Sequence, residues 1–111
     1  MASCSPAATA SPPAGFPASV PIPDATVLTS AETRSGSRLV VGGTVFRDFP
    51  TVLKEMQAKY PAAGFTLAAG EVEKNDAESD FSGNGYQGRW GIRAIEGCQA
   101  TTISVVVGPT S

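Results

Sequence analysis

Asp48-Phe49-Pro50-Thr51-Val52-Leu53-Lys54-Glu55-Met56-Gln57-Ala58-Lys59-Tyr60-Pro61 is the stretch whose reading decides the fold. Phe49, Val52, Leu53, Met56 and Tyr60 recur at helical spacing and make one apolar face, while Lys54, Glu55, Gln57 and Lys59 take the other. Asp48 is a candidate N-cap, and Pro50 is tolerated in the first turn, where amides have no intrahelical partner. Pro61 stops the helix and Gly64 lets the chain turn back. The pattern predicts one amphipathic helix over 49–60, with Met56 as core filler.

The flanking segments read as strands. Thr26-Val27-Leu28-Thr29 is a short one, followed by a turn at Ser35-Gly36-Ser37. In Ser37 to Phe46, Leu39, Val41 and Val45 point one way and Val40, Thr44 and Phe46 the other. Gly42-Gly43 in its middle predicts a bulge or the close approach of another element, with a tightly packed helix the favoured source. It has neither the lysine nor the glycine spacing of a phosphate loop. Phe65 to Val72 reads as a third strand, with Phe65, Leu67 and Ala69 on one face. Beyond it, Lys74-Asn75-Asp76-Ala77 is read as the turn. Tyr86, Trp90 and Ile92 at even spacing then favour one long strand to Ile95, kinked at Gly83-Asn84-Gly85, although Asn84-Gly85 is also a strong hairpin sequence. Glu96-Gly97-Cys98-Gln99 is a turn, and Thr101 to Val107 alternates cleanly as the last strand. The expected fold is α+β: an antiparallel sheet in the order β-β-α-β-β-β with one helix on one face. A single short helix covers one face only, so the other is solvated or hidden by the N-terminal segment or a partner.

Six of the nine prolines fall at or before position 23, in a run with no charged side chain until Asp24. Residues 1–23 therefore read as a flexible Ser/Pro/Ala-rich tether, with Phe16, Val20 and Ile22 docking onto the domain at its end. Residues 24–111 form one small α+β domain of about 85 residues, with a correspondingly thin core. No stretch has the roughly 20 apolar residues that span a bilayer.

A net charge of −2 and the absence of histidine weigh against phosphate-backbone binding and against imidazole-based catalysis or metal ligation. The serines and threonines have no histidine to activate them, and Cys98 has none for thiol chemistry. The expected protein is non-enzymatic, with no cofactor and no nucleic-acid partner. Two clusters remain. Glu71, Glu73, Asp76, Glu78 and Asp80 crowd one stretch. Asp76-x-Glu78-x-Asp80 alternates as calcium-loop oxygens do, which makes these three the candidate metal ligands of an alternative reading. No glycine follows at the turn position and no glutamate lies at the twelfth, so a solvated acidic face that discourages edge-to-edge association is preferred. Tyr86 and Trp90, with Arg89 and Arg93 on the opposite pleat, are the candidate ligand-binding residues. The preferred account, however, puts Trp90 at the centre of the core and turns the arginines to water.

Ala2-Ser3-Cys4 and the tether that follows place small residues before a cysteine as a lipoprotein processing site does, with Met1 where such sites carry leucine. No basic or apolar leader precedes Cys4. Phe16-Pro17-Ala18-Ser19-Val20-Pro21-Ile22-Pro23, then Ala63-Gly64-Phe65-Thr66, Gly83-Asn84-Gly85-Tyr86 and Thr101-Thr102-Ile103-Ser104-Val105, complete a layout that resembles small actinobacterial lipoproteins of uncharacterised function. The resemblance implies a lipid on Cys4 and a position at the extracytoplasmic face of the bacterial cell membrane. The partner would be an unknown protein or small molecule. The alternative is a secreted domain that binds a small ligand or calcium through residues 71–80. Cys4 and Cys98 could instead pair in a disulfide.

Overall fold

A computed structural model of the chain describes residues 9–110. It contains strands β1 (Thr26–Arg34) and β2 (Arg38–Val45), helix α1 (Phe49–Ala62), and strands β3 (Thr66–Val72), β4 (Asp76–Gly83), β5 (Tyr86–Ala94) and β6 (Thr101–Pro109). All six strands form one antiparallel sheet in the order β1-β2-β6-β5-β4-β3. The α+β expectation stands, with one strand more than the sequence pattern suggested.

The extra strand comes from Asn84-Gly85. Both residues have positive φ, 54° and 84°, which is the pairing a tight two-residue hairpin requires. Gly83 pairs with Tyr86, so the expected long strand is two strands. The turn at 73–75 exists as well, closed by the Glu73 amide donating to the Asp76 carbonyl at 2.7 Å.

Helix α1 forms where the pattern placed it and runs two residues further. The Asp48 carboxylate accepts from the Thr51 amide at 3.1 Å, and hydrogen bonding to the Thr51 side chain first, then to its amide, draws the Asp48 pKa below its ordinary value. Pro61 lies inside the last turn, and the helix closes in a Schellman arrangement. The Phe65 amide donates to the Tyr60 carbonyl (2.9 Å) and the Gly64 amide to the Pro61 carbonyl (3.0 Å). Gly64 has φ +93°, a conformation open to glycine at little cost. The apolar contact that accompanies such a stop is Tyr60 against Phe65, ring centroids 5.8 Å apart.

The helix packs over β3, β4 and β5. Phe49, Val52, Met56 and Tyr60 are buried, meeting Ala77, Phe81, Trp90, Ile92, Val105 and Val107 from the sheet. Tyr60 lies 4.8 Å from Phe81 and 6.2 Å from Trp90, centroid to centroid. Offset and tilted rings such as these add to the area they bury.

Residues before β1 are packed, too. Val20 is buried, and Phe16 and Ile22 pack against the core, as expected for the end of the tether. The Tyr60 hydroxyl donates to the Pro21 carbonyl at 3.0 Å, and burial raises its pKa. The Ala10 amide donates to Leu28 of edge strand β1 at 2.8 Å. The packed domain therefore begins ahead of residue 24. A charged clasp holds this junction. Glu55, 12 % exposed, meets Arg47 at 2.5 Å and Lys59 at 3.0 Å. It also accepts from the Asp24 amide at 2.8 Å, while Lys59 reaches the Asp24 carboxylate at 3.0 Å. Burial by itself raises the Glu55 pKa, but the hydrogen bonds from Arg47, Lys59 and the Asp24 amide outweigh it and bring it to about 2. Hydrogen bonds to Glu55 and then Asp24 raise the Lys59 pKa in turn.

The glycine pair in β2 has a different cause from the one expected. A Cβ at Gly43 would come 2.6 Å from the Val27 carbonyl oxygen. The register of β1 slips between Leu28 and Ser30, opposite Gly43 and Gly42. The approaching element is the backbone of β1, and the bulge lies in that strand. A second bulge, between Ala68 and Glu71 of edge strand β3, puts Ala69 at φ 50°. It leaves Ala69 exposed, not on the core face with Leu67.

Candidate functional site

Strand alternation sorts every candidate residue onto one of two faces. On β5, Trp90 and Ile92 turn toward α1 and are buried, whereas Gln87, Arg89 and Arg93 turn away and are exposed. On β4, Ala77, Ser79 and Phe81 are buried, and Asp76, Glu78 and Asp80 share the opposite face with the arginines. Trp90 is 1 % exposed, so it cannot offer a stacking surface to a ligand. Tyr86 is partly buried and packs against the core. The structure therefore separates Tyr86 and Trp90 from Arg89 and Arg93 and corrects their assignment as one binding cluster. Burying the large indole is worth more than exposing it, and that decides which way the strand faces.

The metal assignment at Asp76, Glu78 and Asp80 is corrected as well. Alternate residues of a strand stand about 6.6 Å apart, too far for three carboxylates to converge on one ion. Arginines of the neighbouring strand occupy them instead. Arg89 sits between Glu78 and Asp80, Nη1 at 2.8 Å from one and Nε at 2.9 Å from the other, and these hydrogen bonds, to Glu78 first, raise its pKa. Arg93 reaches toward Asp76 at 3.8 Å. Among the described residues no group of acidic, histidine or cysteine side chains is placed to hold a metal.

The face away from the helix has its own order. Across it run Val40, Val106, Arg89, Asp80 and Ala68 in one register row, and Gly42, Ser104, Gly91, Glu78 and Glu71 in the next. The second row is nearly bare between β2 and β5, which lowers the middle of the sheet surface. Toward the β1–β2 turn the face opens into a groove of about 800 Å³. Arg34, Arg38 and Arg89 line it, with Thr66, Ser82 and Gln87 as further polar groups and Gly36 and Gly108 among the small ones. A second hollow of about 420 Å³ lies at the other end, near Glu71, Asp76, Glu78 and Arg93.

Arg34 and Arg38 are the residues that sequence reading missed. They are Cα partners across the β1–β2 hairpin. Counting outward from Ser35-Gly36-Ser37 would have paired them. Arg34 is held by Glu32 at 2.6 Å, both side chains more than half exposed. Arg38 has no ion-pair partner among the described residues. Its Cγ lies 3.4 Å from where a Gly108 Cβ would stand, so the arginine stem rests over the bare end of β6.

Cys98, in the turn before β6, is disulfide-bonded. Cys4 lies outside the described residues, and with it the lipid assignment and the proposed pairing of Cys4 with Cys98. Among the described residues no helix is long and apolar enough to cross a membrane. No family model, curated protein or solved structure matches the chain.

Proposed function

We propose that this chain is an extracytoplasmic, non-enzymatic binding module that uses the open face of its sheet to hold a partner. The carrying observation is the contrast in that sheet. One face is sealed by α1 and the N-terminal segment, while the other presents a polar groove of about 800 Å³ lined by arginines. The disulfide at Cys98 supports an oxidising compartment, and the Ser/Pro/Ala-rich start of the sequence supports a tether. In this reading Cys4 carries a lipid that holds the domain at the extracytoplasmic membrane surface, which requires that its sulfur is not the partner of Cys98.

The Cys98 disulfide favours a second reading of the anchor alone. One sulfur cannot hold both a lipid thioether and a disulfide. If Cys4 is the partner of Cys98, the domain is secreted free of the membrane, with the same binding face. Fractionation of a bacterial host that expresses the full gene separates the two. Membrane retention lost in Cys4→Ala supports the anchor, and soluble wild-type protein whose mass shows an internal disulfide supports secretion.

Ser104→Trp would lay an indole over Gly42 and Gly91 and block the face. Proximity labelling in the native host should lose specific neighbours in this variant while its melting temperature stays unchanged. Identical neighbours for wild type and variant would sink the open face as the binding surface.

A further inference from the structure

We propose that the groove beside the β1–β2 hairpin is a binding site for a soluble ligand bearing a phosphate dianion, clamped by Arg34 and Arg38. The inference rests on the open face being the binding surface and adds the ligand class. Its first support is charge placement. The chain is net negative, −2, yet three of its five arginines line this groove, where Asp80 is the one acidic lining residue. Arg89 already holds Asp80 and Glu78, so that carboxylate is neutralised and Arg34 and Arg38 dominate the mouth.

The pairing of those two arginines is the second support. Like charges placed directly opposite each other across two strands destabilise the pair, and Arg34 and Arg38 are such partners. Glu32 offsets only one of them. An exposed ion pair of that kind is worth about 0–1 kcal/mol, so a better anion displaces it readily. A carboxylate has two oxygens and matches a single guanidinium fork. A phosphate monoester or diphosphate offers at least three and can accept from two forks at once. Thr66, Ser82 and Gln87 provide neutral partners for the rest of the molecule. The large exposed hydrophobics, Phe46 and Val72, do not line the groove. A lipid surface would need apolar anchors at the rim, which favours a soluble ligand over a headgroup.

Inorganic pyrophosphate is the probe, titrated into ¹⁵N-labelled protein at low ionic strength, with citrate as a carboxylate control. Saturable amide shifts confined to the groove, centred on Arg34, Gly36, Arg38 and Gly108, are expected at about 1 mM. Arg34→Gln with Arg38→Gln should weaken binding at least about tenfold while the remaining spectrum is unchanged. Affinity for a phosphate monoester should rise from pH 5 to pH 7 as its second proton leaves near pH 6. Absence of shifts at about 20 mM would overturn the ligand class. Citrate shifts of equal size, or equal binding to vesicles carrying phosphatidic acid, would overturn it as well. Should pyrophosphate fail while Ser104→Trp still removes cellular neighbours, the ligand class falls and the binding face stands. Should both show nothing, both fall.

Discussion

Trp90 and Arg89 are consecutive residues of one strand, yet they belong to regions with opposite physics. Trp90 sits under α1 among Tyr60, Phe81 and Ile92, sealed from water. Arg89 lies on the other face, held between two carboxylates, with its side chain about half exposed (45 %). The covered face is where burial of large apolar groups stabilises the fold. The open face contributes little stability and is free to be charged, bare or hollow. That freedom is what makes it the place to look for binding.

The comparison is tested most severely by truncation on the covered side. Trp90→Ala should cost about 3–5 kcal/mol, whereas Arg89→Ala should leave the urea midpoint close to that of the wild type. Urea unfolding of both variants measures the contrast. Comparable losses would mean that the face carrying Arg89 is also a buried surface.

Acid sharpens it next, because the covered side has one titrating group whose partners matter. The Glu55 pKa lies near 2 in the folded chain, against about 4.3 when unfolded. A lowered carboxylate stabilises the fold above its unfolded pKa and loses that contribution as pH falls through the folded one. The loss runs from about pH 5 to pH 2 and amounts to at most about 3 kcal/mol. Urea midpoints at pH 7 and pH 3 should converge more in Glu55→Gln than in wild type. Equal pH dependence of the two proteins would show that the clasp is not what acid breaks.

Smaller effects follow. Tyr60→Phe removes the hydrogen bond to the Pro21 carbonyl and should cost about 1 kcal/mol, with faster amide exchange around Val20 and little change at β5. Exchange rising equally throughout the sheet would argue that the N-terminal segment is integral to the core. Arg38→Gln is expected to change stability least, within about 0.5 kcal/mol. Its readout is the loss of pyrophosphate-induced shifts.

How far the sequence was legible follows the same division. Helix α1 and its apolar face were readable because a cap, a periodic stripe and a glycine stop agreed over one continuous segment. The β4–β5 turn was misread although its signature was present. Core positions are odd through Ala77, Ser79 and Phe81 and even through Trp90 and Ile92, and such a parity switch is what a two-residue loop produces. The even positions Tyr86, Trp90 and Ile92 taken alone hide it. Trp90 lies at the core centre with Arg89 and Arg93 outside, as the preferred reading has it, while the alternative binding cluster fails because aromatic type alone gives no sign of which face a strand buries. The groove was illegible in a deeper sense. It depends on β6 lying beside β2, which brings Gly108 under Arg38 across about 70 residues of intervening chain, and no local pattern encodes that neighbour.

That neighbour relation also sets an order of events during synthesis. Strands β3 to β6 pair each with the next, so they can zip together as they leave the ribosome. The β1–β2 ribbon precedes the other strands but joins the sheet only through β6, the last of the six. A lone two-stranded ribbon is marginal in water, so the early product must wait, with Val41 and Val45 unburied, until residue 109 emerges. Premature termination anywhere before β6 leaves two fragments with facing raw edges. The arrival of β6, which pairs with β2 on one side and β5 on the other, is therefore the step at which the sheet closes.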